Sequence, residues 1–270
     1  MKMVPPKLVA KIESEEPALR LAVLIDADNA QATVIEGLLA EVARFGEATV
    51  KRIYGDFTAP TSASWKKVLQ KYAIKPVQQF AYTTGKNATD STLIIEAMDL
   101  LYTRKFDGFC LVTSDSDFTG LAMRLREEGL TVLGFGEQKT PEAFRNACHK
   151  FILTEVLRPT VQEITLPSPK IESLQKPIID SSKSELHRPP QLNFPKKFLL
   201  DALEQSSDDA GWAHLGTFGS YLTKLQPDFD SRVYGYKKLS DLVKAMTEIF
   251  VTEERTAAGS TQKTLYVRAK

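Results

Sequence analysis

The sequence predicts an α/β fold: a parallel sheet with helices on both faces, followed by a small module of three helices and a hairpin. Three observations predict it. From Leu21 to about Glu155, short apolar runs alternate with segments of helical spacing, the pattern of a parallel sheet covered on both faces. From Leu157 to Leu192 the chain is interrupted by Pro159, Pro167, Pro169, Pro177, Pro189 and Pro190 among Ser, Lys and Glu, which reads as an extended linker. Beyond it, regular patterning resumes over a length that suits a winged-helix-like module.

The elements follow in order. Leu21-Ala-Val-Leu-Ile25 is a continuous apolar run, as in a strand buried on both faces. A helix is expected through Ile35, Leu38, Leu39 and Val42, ended by Gly46, then a strand over Ala48 to Tyr54. Ser64 to Tyr72 reads as a helix and Ile74 to Phe80 as a third strand. Asp90 opens a helix carrying Leu93, Ile94, Ala97, Met98 and Leu101 on one face. Phe109 to Thr113 is a strand, a helix runs through Leu121 and Leu125 to a stop at Gly129, and Leu130 to Gly134 is the next strand. In the C-terminal part, helical spacing appears at Phe198, Leu199 and Leu203, at Leu215 through Leu225, and at Leu239 to Ile249. Phe250-Val-Thr and Thr264-Leu-Tyr-Val267 form the hairpin, turning near Ala257 to Ser260. This divides the chain into a flexible arm (1–20), an α/β domain (21–156), a Pro-rich linker (157–192) and a winged-helix-like domain (193–270).

Composition narrows the function. In 270 residues, 43% hydrophobic and 26% charged content is ordinary for a globular protein. A net charge of +1 means that any nucleic-acid surface must be local. No apolar run approaches the roughly 20 residues that span a bilayer. The first 20 residues lack the apolar core of a signal peptide, so a cytoplasmic location is expected, without a membrane. Cys110, Cys148 and three scattered histidines make no zinc signature.

The chemistry lies in the aspartates. Asp26 ends the first strand with Asp28 and Asn29 behind it, Asp90 opens a helix, and Asp115 and Asp117 follow the Phe109–Thr113 strand. In a parallel sheet all of these fall at one edge, outside the carboxyl ends of the strands, where such sheets bind ligands. Crowded carboxylates repel one another, and a hard divalent cation such as Mg²⁺ or Mn²⁺ relieves this. Such ions activate water and stabilise a phosphodiester under attack. Asn29 would add a neutral ligand or orient a carboxylate. Each aspartate taken singly also fits a helix cap or a turn, and Asp56, in Tyr54-Gly-Asp-Phe57, is read mainly so.

These residues resemble a known family. Leu24-Ile-Asp-Ala-Asp-Asn29, Lys86-Asn-Ala-Thr-Asp90 with Glu96-Ala-Met-Asp99, and Val112-Thr-Ser-Asp-Ser-Asp-Phe118 are similar, in order and spacing, to the NYN domain, a PIN-like, LabA-like group of metal-dependent ribonucleases. Val132 to Gly136 and Ala143 to Cys148 resemble the family's closing strand and helix. The resemblance implies a PIN-like three-layer fold, with Asp26, Asp90, Asp115 and Asp117 as metal ligands and Asn29 as a catalytic polar neighbour. Asp28 and Asp56 rank second. Gly211-Trp-Ala-His-Leu-Gly216 and Tyr234-Gly-Tyr-Lys-Lys-Leu-Ser-Asp-Leu242 resemble the LOTUS, or OST-HTH, domain, a winged-helix module linked to RNA or protein partners. There Arg232, Tyr236, Lys237 and Lys238 form a candidate nucleic-acid patch, with the aromatics packed in the core as the alternative.

The expected function is a metal-dependent endoribonuclease with an accessory module binding RNA or a protein partner. Two alternatives stay open: a non-catalytic RNA-binding adaptor, and a phosphatase of the haloacid dehalogenase type using Asp26-x-Asp28 as nucleophile motif.

Overall fold

The computed structural model describes residues 18–58, 63–80, 88–158, 194–256 and 263–270. Most of the expected arm and linker, much of the loop before Asp90 and the hairpin turn lie outside these residues.

Leu21 to Asp26 are fully buried in β1 (Leu19–Asp26). The unbroken run has no polar face because helices cover both sides. A short 3₁₀ turn leads into α1 (Ile35–Val42), then β2 (Gly46–Gly55), α2 (Ala63–Tyr72), β3 (Lys75–Gln78), α3 (Ala88–Tyr102), β4 (Gly108–Val112), α4 (Thr119–Glu127), β5 (Thr131–Gly136), α5 (Glu142–Ala147) and β6 (Lys150–Leu153). The six strands pair in parallel in the order β3-β2-β1-β4-β5-β6. Gly129 ends α4 with φ +80, the left-handed C-cap that glycine adopts without strain. Gly46 does not end α1: the helix stops at Val42 and Gly46 opens β2 beside Leu19.

Strand alternation sorts the core into two layers. Ala22 and Leu24 of β1 and Phe109 and Leu111 of β4 meet α3, α4 and α5. Leu21, Val23 and Ile25 face the other way, with Ile35, Leu38 and Val42 of α1 and Trp65 of α2. Chain direction across the sheet reverses after β3, so right-handed crossovers put α1 and α2 on one face and the later helices on the other. The result is the PIN-like three-layer α/β fold. The same alternation sets Asp26 on the α3 side.

The C-terminal part consists of α6 (Lys196–Ser206), β7 (Trp212–His214), α7 (Leu215–Leu225), α8 (Leu239–Ala245), β8 (Phe250–Thr256) and β9 (Lys263–Ala269). Its strands form an antiparallel sheet in the order β7-β9-β8. Its core is separate, built on Leu199, Leu203, Phe218, Leu222, Leu242 and Val267. It lies against the free edge of the large sheet, where the Phe151 N–H of β6 donates to the Pro227 carbonyl (2.9 Å). Arg145 pairs with Asp228 at 2.6 Å, and Arg232 bridges Glu41 (2.8 Å) and Asp230 (2.6 Å). Among the described residues no helix is long and apolar enough to cross a membrane.

Gly136 closes β5 where a Cβ would stand 2.5 Å from the Thr113 carbonyl oxygen and 2.7 Å from Thr140 Oγ1. Gly136→Ala is therefore expected to destabilise by roughly 1–3 kcal/mol, as overpacking does. A thermal melt indistinguishable from the parent would refute this close packing.

Candidate functional site

Strand order reverses between β1 and β4, which pair directly, with Ile25 opposite Val112. Both strands end at this switch point, so the residues that follow them form a crevice. Asp26 ends one and Thr113 follows the other.

The Asp26 carboxylate is fully buried. Its Oδ2 accepts from Asn29 Nδ2 (2.7 Å) and Thr113 Oγ1 (2.9 Å), and its Oδ1 accepts from the Asp28 N–H (3.0 Å). Burial pushes its pKa up, and the three donors pull it back by favouring the charged form. Asn29 thus orients Asp26 through its amide nitrogen. Thr113 does more than sequence reasoning assigned it. Its hydroxyl donates to Asp26 and accepts from the Asp115 N–H (3.1 Å), tying the two acidic motifs together. A threonine at a strand end carries no sequence signal of such a role.

Asp115 caps the 3₁₀ turn Ser116–Phe118, with Oδ1 accepting from the Asp117 N–H (2.9 Å). The cap and site readings of this residue are therefore compatible. Asp90 enters from the first turn of α3. That helix is fastened to the sheet by Glu96, whose Oε2 accepts from Arg52 (2.6 Å) and from the Tyr54 hydroxyl (2.8 Å). Carboxylate oxygens of Asp90, Asp115 and Asp117 come within 4.8 Å of one another. Asp26 lies outside that trio, yet its charge is felt by Asp90, whose pKa rises to about 6 through burial and then the charges of Asp26, Asp115, Asp117 and Asp28.

The donor set fits a hard cation. It is all oxygen, as Mg²⁺ and Mn²⁺ favour, and every charge that perturbs Asp90 is negative. Asp28 is exposed at the rim. Asp56 accepts from Thr58 and from Gln78 Nε2 (2.8 Å), stapling the turn after β2 to β3, and it falls outside the trio.

Residues 20–155 match the family model of the NYN domain. The chain belongs to the NYN domain family. Residues 190–260 match the OST-HTH/LOTUS domain, so the C-terminal part of this NYN protein carries that module. No curated protein matches the chain. Similar solved structures include an uncharacterised protein of Nitrosomonas europaea, at 63% identity over 36% of this chain and 92% of that one, TM-score 0.30. A protein of unknown function from Vibrio parahaemolyticus is 16% identical over 51% of this chain and 93% of that one, TM-score 0.43. A Chromobacterium violaceum protein is 29% identical over 30% of this chain and 84% of that one, TM-score 0.24.

In the LOTUS module the four patch residues separate. Lys237 and Lys238 are exposed. Tyr236 packs against the module's core, which leaves its ring a structural part. Arg232 is held between Asp230 and Glu41, and the two carboxylates drive its pKa upward. Its guanidinium joins the NYN and LOTUS parts and so is not presented alongside the two lysines.

Asp90 yields a pH prediction. Its folded pKa of about 6 exceeds the ordinary carboxylate value of 3.8, so the folded state binds the proton more tightly. Stability from this group is then lost as pH rises from about 4 to about 6. Asp90→Asn should melt higher than the parent above pH 6 in EDTA and match it near pH 4. Mn²⁺ should stabilise the parent more than the variant. Equal melts at pH 7, without and with Mn²⁺, would contradict the clustered charge.

Proposed function

We propose that this NYN protein is a divalent-metal-dependent endoribonuclease, with Mg²⁺ or Mn²⁺ held by Asp90, Asp115 and Asp117 and backed from beneath by Asp26. The observation that carries the reading is the carboxylate trio at the switch point of a NYN-family sheet. A divalent cation there supplies charge neutralisation for phosphodiester oxygens and lowers the pKa of an attacking water. The residues of the chain do the rest. Thr113 and Asn29 donate to Asp26 and fix its orientation. The Asp115 cap sets the angle between Asp115 and Asp117. The negative charges crowded around Asp90, which with burial raise its pKa to about 6, are those that a bound cation would offset.

Asp26 is an unsuitable nucleophile for an aspartyl-phosphate route, because its carboxyl is fully buried and already accepts three hydrogen bonds. That disfavours the phosphatase reading. Cys110 and Cys148 are buried free thiols, in keeping with the reducing cytoplasm we assign. We assign the LOTUS module to RNA rather than to a protein partner on the strength of its exposed lysines.

Purified protein with Mn²⁺ should cleave single-stranded or structured RNA internally, and EDTA should stop it. Removing an outer partner of a metal site typically costs ~10–100-fold in affinity or activity. Asp115→Asn, which alters a direct ligand, is therefore expected to cost ~100-fold or more. Cleavage that survives this substitution, or that continues in EDTA, sinks the proposal. RNA binding without cleavage would select the adaptor reading instead.

A further inference from the structure

The contact between the two parts of the chain encloses a cleft of about 570 Å³, lined from the NYN side by Arg44, Phe45 and Lys150 and from the LOTUS side by Lys224, Lys237 and Lys238, among others. Its charge is one-sided. The carboxylates beside this cleft, Glu41 and Asp230, are engaged by Arg44 and Arg232, as Asp228 at the same seam is by Arg145. Lys150, Lys224, Lys237 and Lys238 take part in none of the ion pairs among the described residues. Lys150 is half-buried, its ammonium 5.6 Å from the centre of the Phe45 ring. Counting Arg44 and Arg232 with the four lysines, six cations face two carboxylates. In a chain of net charge +1, this is a local concentration of positive charge.

We propose that this seam is an anion-binding cleft for the sugar–phosphate backbone of a single nucleic-acid strand, separate from the acidic cluster. Lysines act as point charges that accept phosphates without demanding a fixed geometry, which suits a backbone tracked without sequence readout. The Phe45 wall of the cleft and the carboxylates lie toward opposite ends of β1. Phe45 and Gly46 neighbour Leu19 at the start of β1, and Asp26 ends the same eight-residue strand. Seven steps at ~3.3 Å per residue set that wall about 23 Å from Asp26 along the strand. A phosphate in the cleft is thus not the phosphate at the carboxylates, and one strand must run along the sheet edge to touch both. The choice of nucleic acid as the polyanion rests on the nuclease reading, whereas the cleft and its charge do not.

The test is fluorescence anisotropy of a labelled single-stranded RNA oligonucleotide with the full chain in EDTA, where metal-dependent cleavage is off. The comparison is the parent against Lys224→Gln/Lys237→Gln/Lys238→Gln. Each lost phosphate contact lowers the salt slope by ~0.7 for single strands. The triple variant should therefore lose about 2 from the slope and roughly 100-fold in affinity at 0.1 M salt. Thr223→Glu, which sets a carboxylate on the cleft wall, should weaken binding as well and serves if the triple variant does not fold. Lys67→Gln, exposed on α2 away from the cleft lining, should bind like the parent. Loss of cleavage with cleft binding intact would remove the nuclease reading alone. Unchanged affinity and slope in the cleft variants overturn the proposal. So does a parent chain that binds no oligonucleotide, or one that takes up inorganic phosphate or a mononucleotide but no strand. Capture of a protein through these lysines, in place of RNA, overturns it too.

Discussion

One hydrogen bond sits where the two halves of the sheet meet: the Thr113 hydroxyl on the Asp26 carboxylate. It joins the ends of the two central strands at the point where strand order reverses. A buried carboxylate without donors would be forced to protonate or to leave the core. Thr113, Asn29 and the Asp28 N–H around Asp26 hold it in place and favour its charged form against the burial that raises its pKa. After burial, the Asp26 charge is the first of the four, with Asp115, Asp117 and Asp28, that raise the pKa of Asp90. The arrangement is strained electrostatically and satisfied sterically, and a cation is the natural complement of such a site.

Glu96 shows how far this reaches into the scaffold. Asp90 sits in the first turn of α3, and the position of that turn depends on where the helix is anchored. Arg52 and Tyr54, from the strand beside β1, both hold Glu96. Tyr54 is paired in register with Asp26. The anchor of α3 and the buried aspartate therefore belong to the same rung of the sheet, and a shift of one would carry to the other.

Much of this was readable from residue order. The apolar run Leu21–Ile25 specifies a strand covered on both faces, and three acidic motifs placed after strands must converge if the sheet is parallel. The acidic residues are legible because carboxylates at strand ends are chemically conspicuous. Other features were not. β6 is four residues long and begins with Lys150, too short for a period to register. β7 has three residues. Gly46 looked like a helix stop, because a glycine after an amphipathic run serves equally to end a helix or to begin a strand. The duty of Arg232 depends on Glu41, which lies 191 residues away. No local pattern encodes that distance, so a cation next to two lysines reads as part of their patch. Tyr236 is similar, since burial of its ring is decided by helices that pack only in three dimensions.

The Pro227 carbonyl on the Phe151 N–H has a consequence for how the chain can be divided. β6 is the outer strand of the large sheet, and its Phe151, Ile152 and Leu153 are buried. An outer strand with bare backbone groups and apolar side chains is a template for pairing with another molecule. In the intact chain a part encoded more than 70 residues later shields that template. A truncation that ends before the LOTUS module keeps every residue of the acidic cluster, yet exposes a sticky margin.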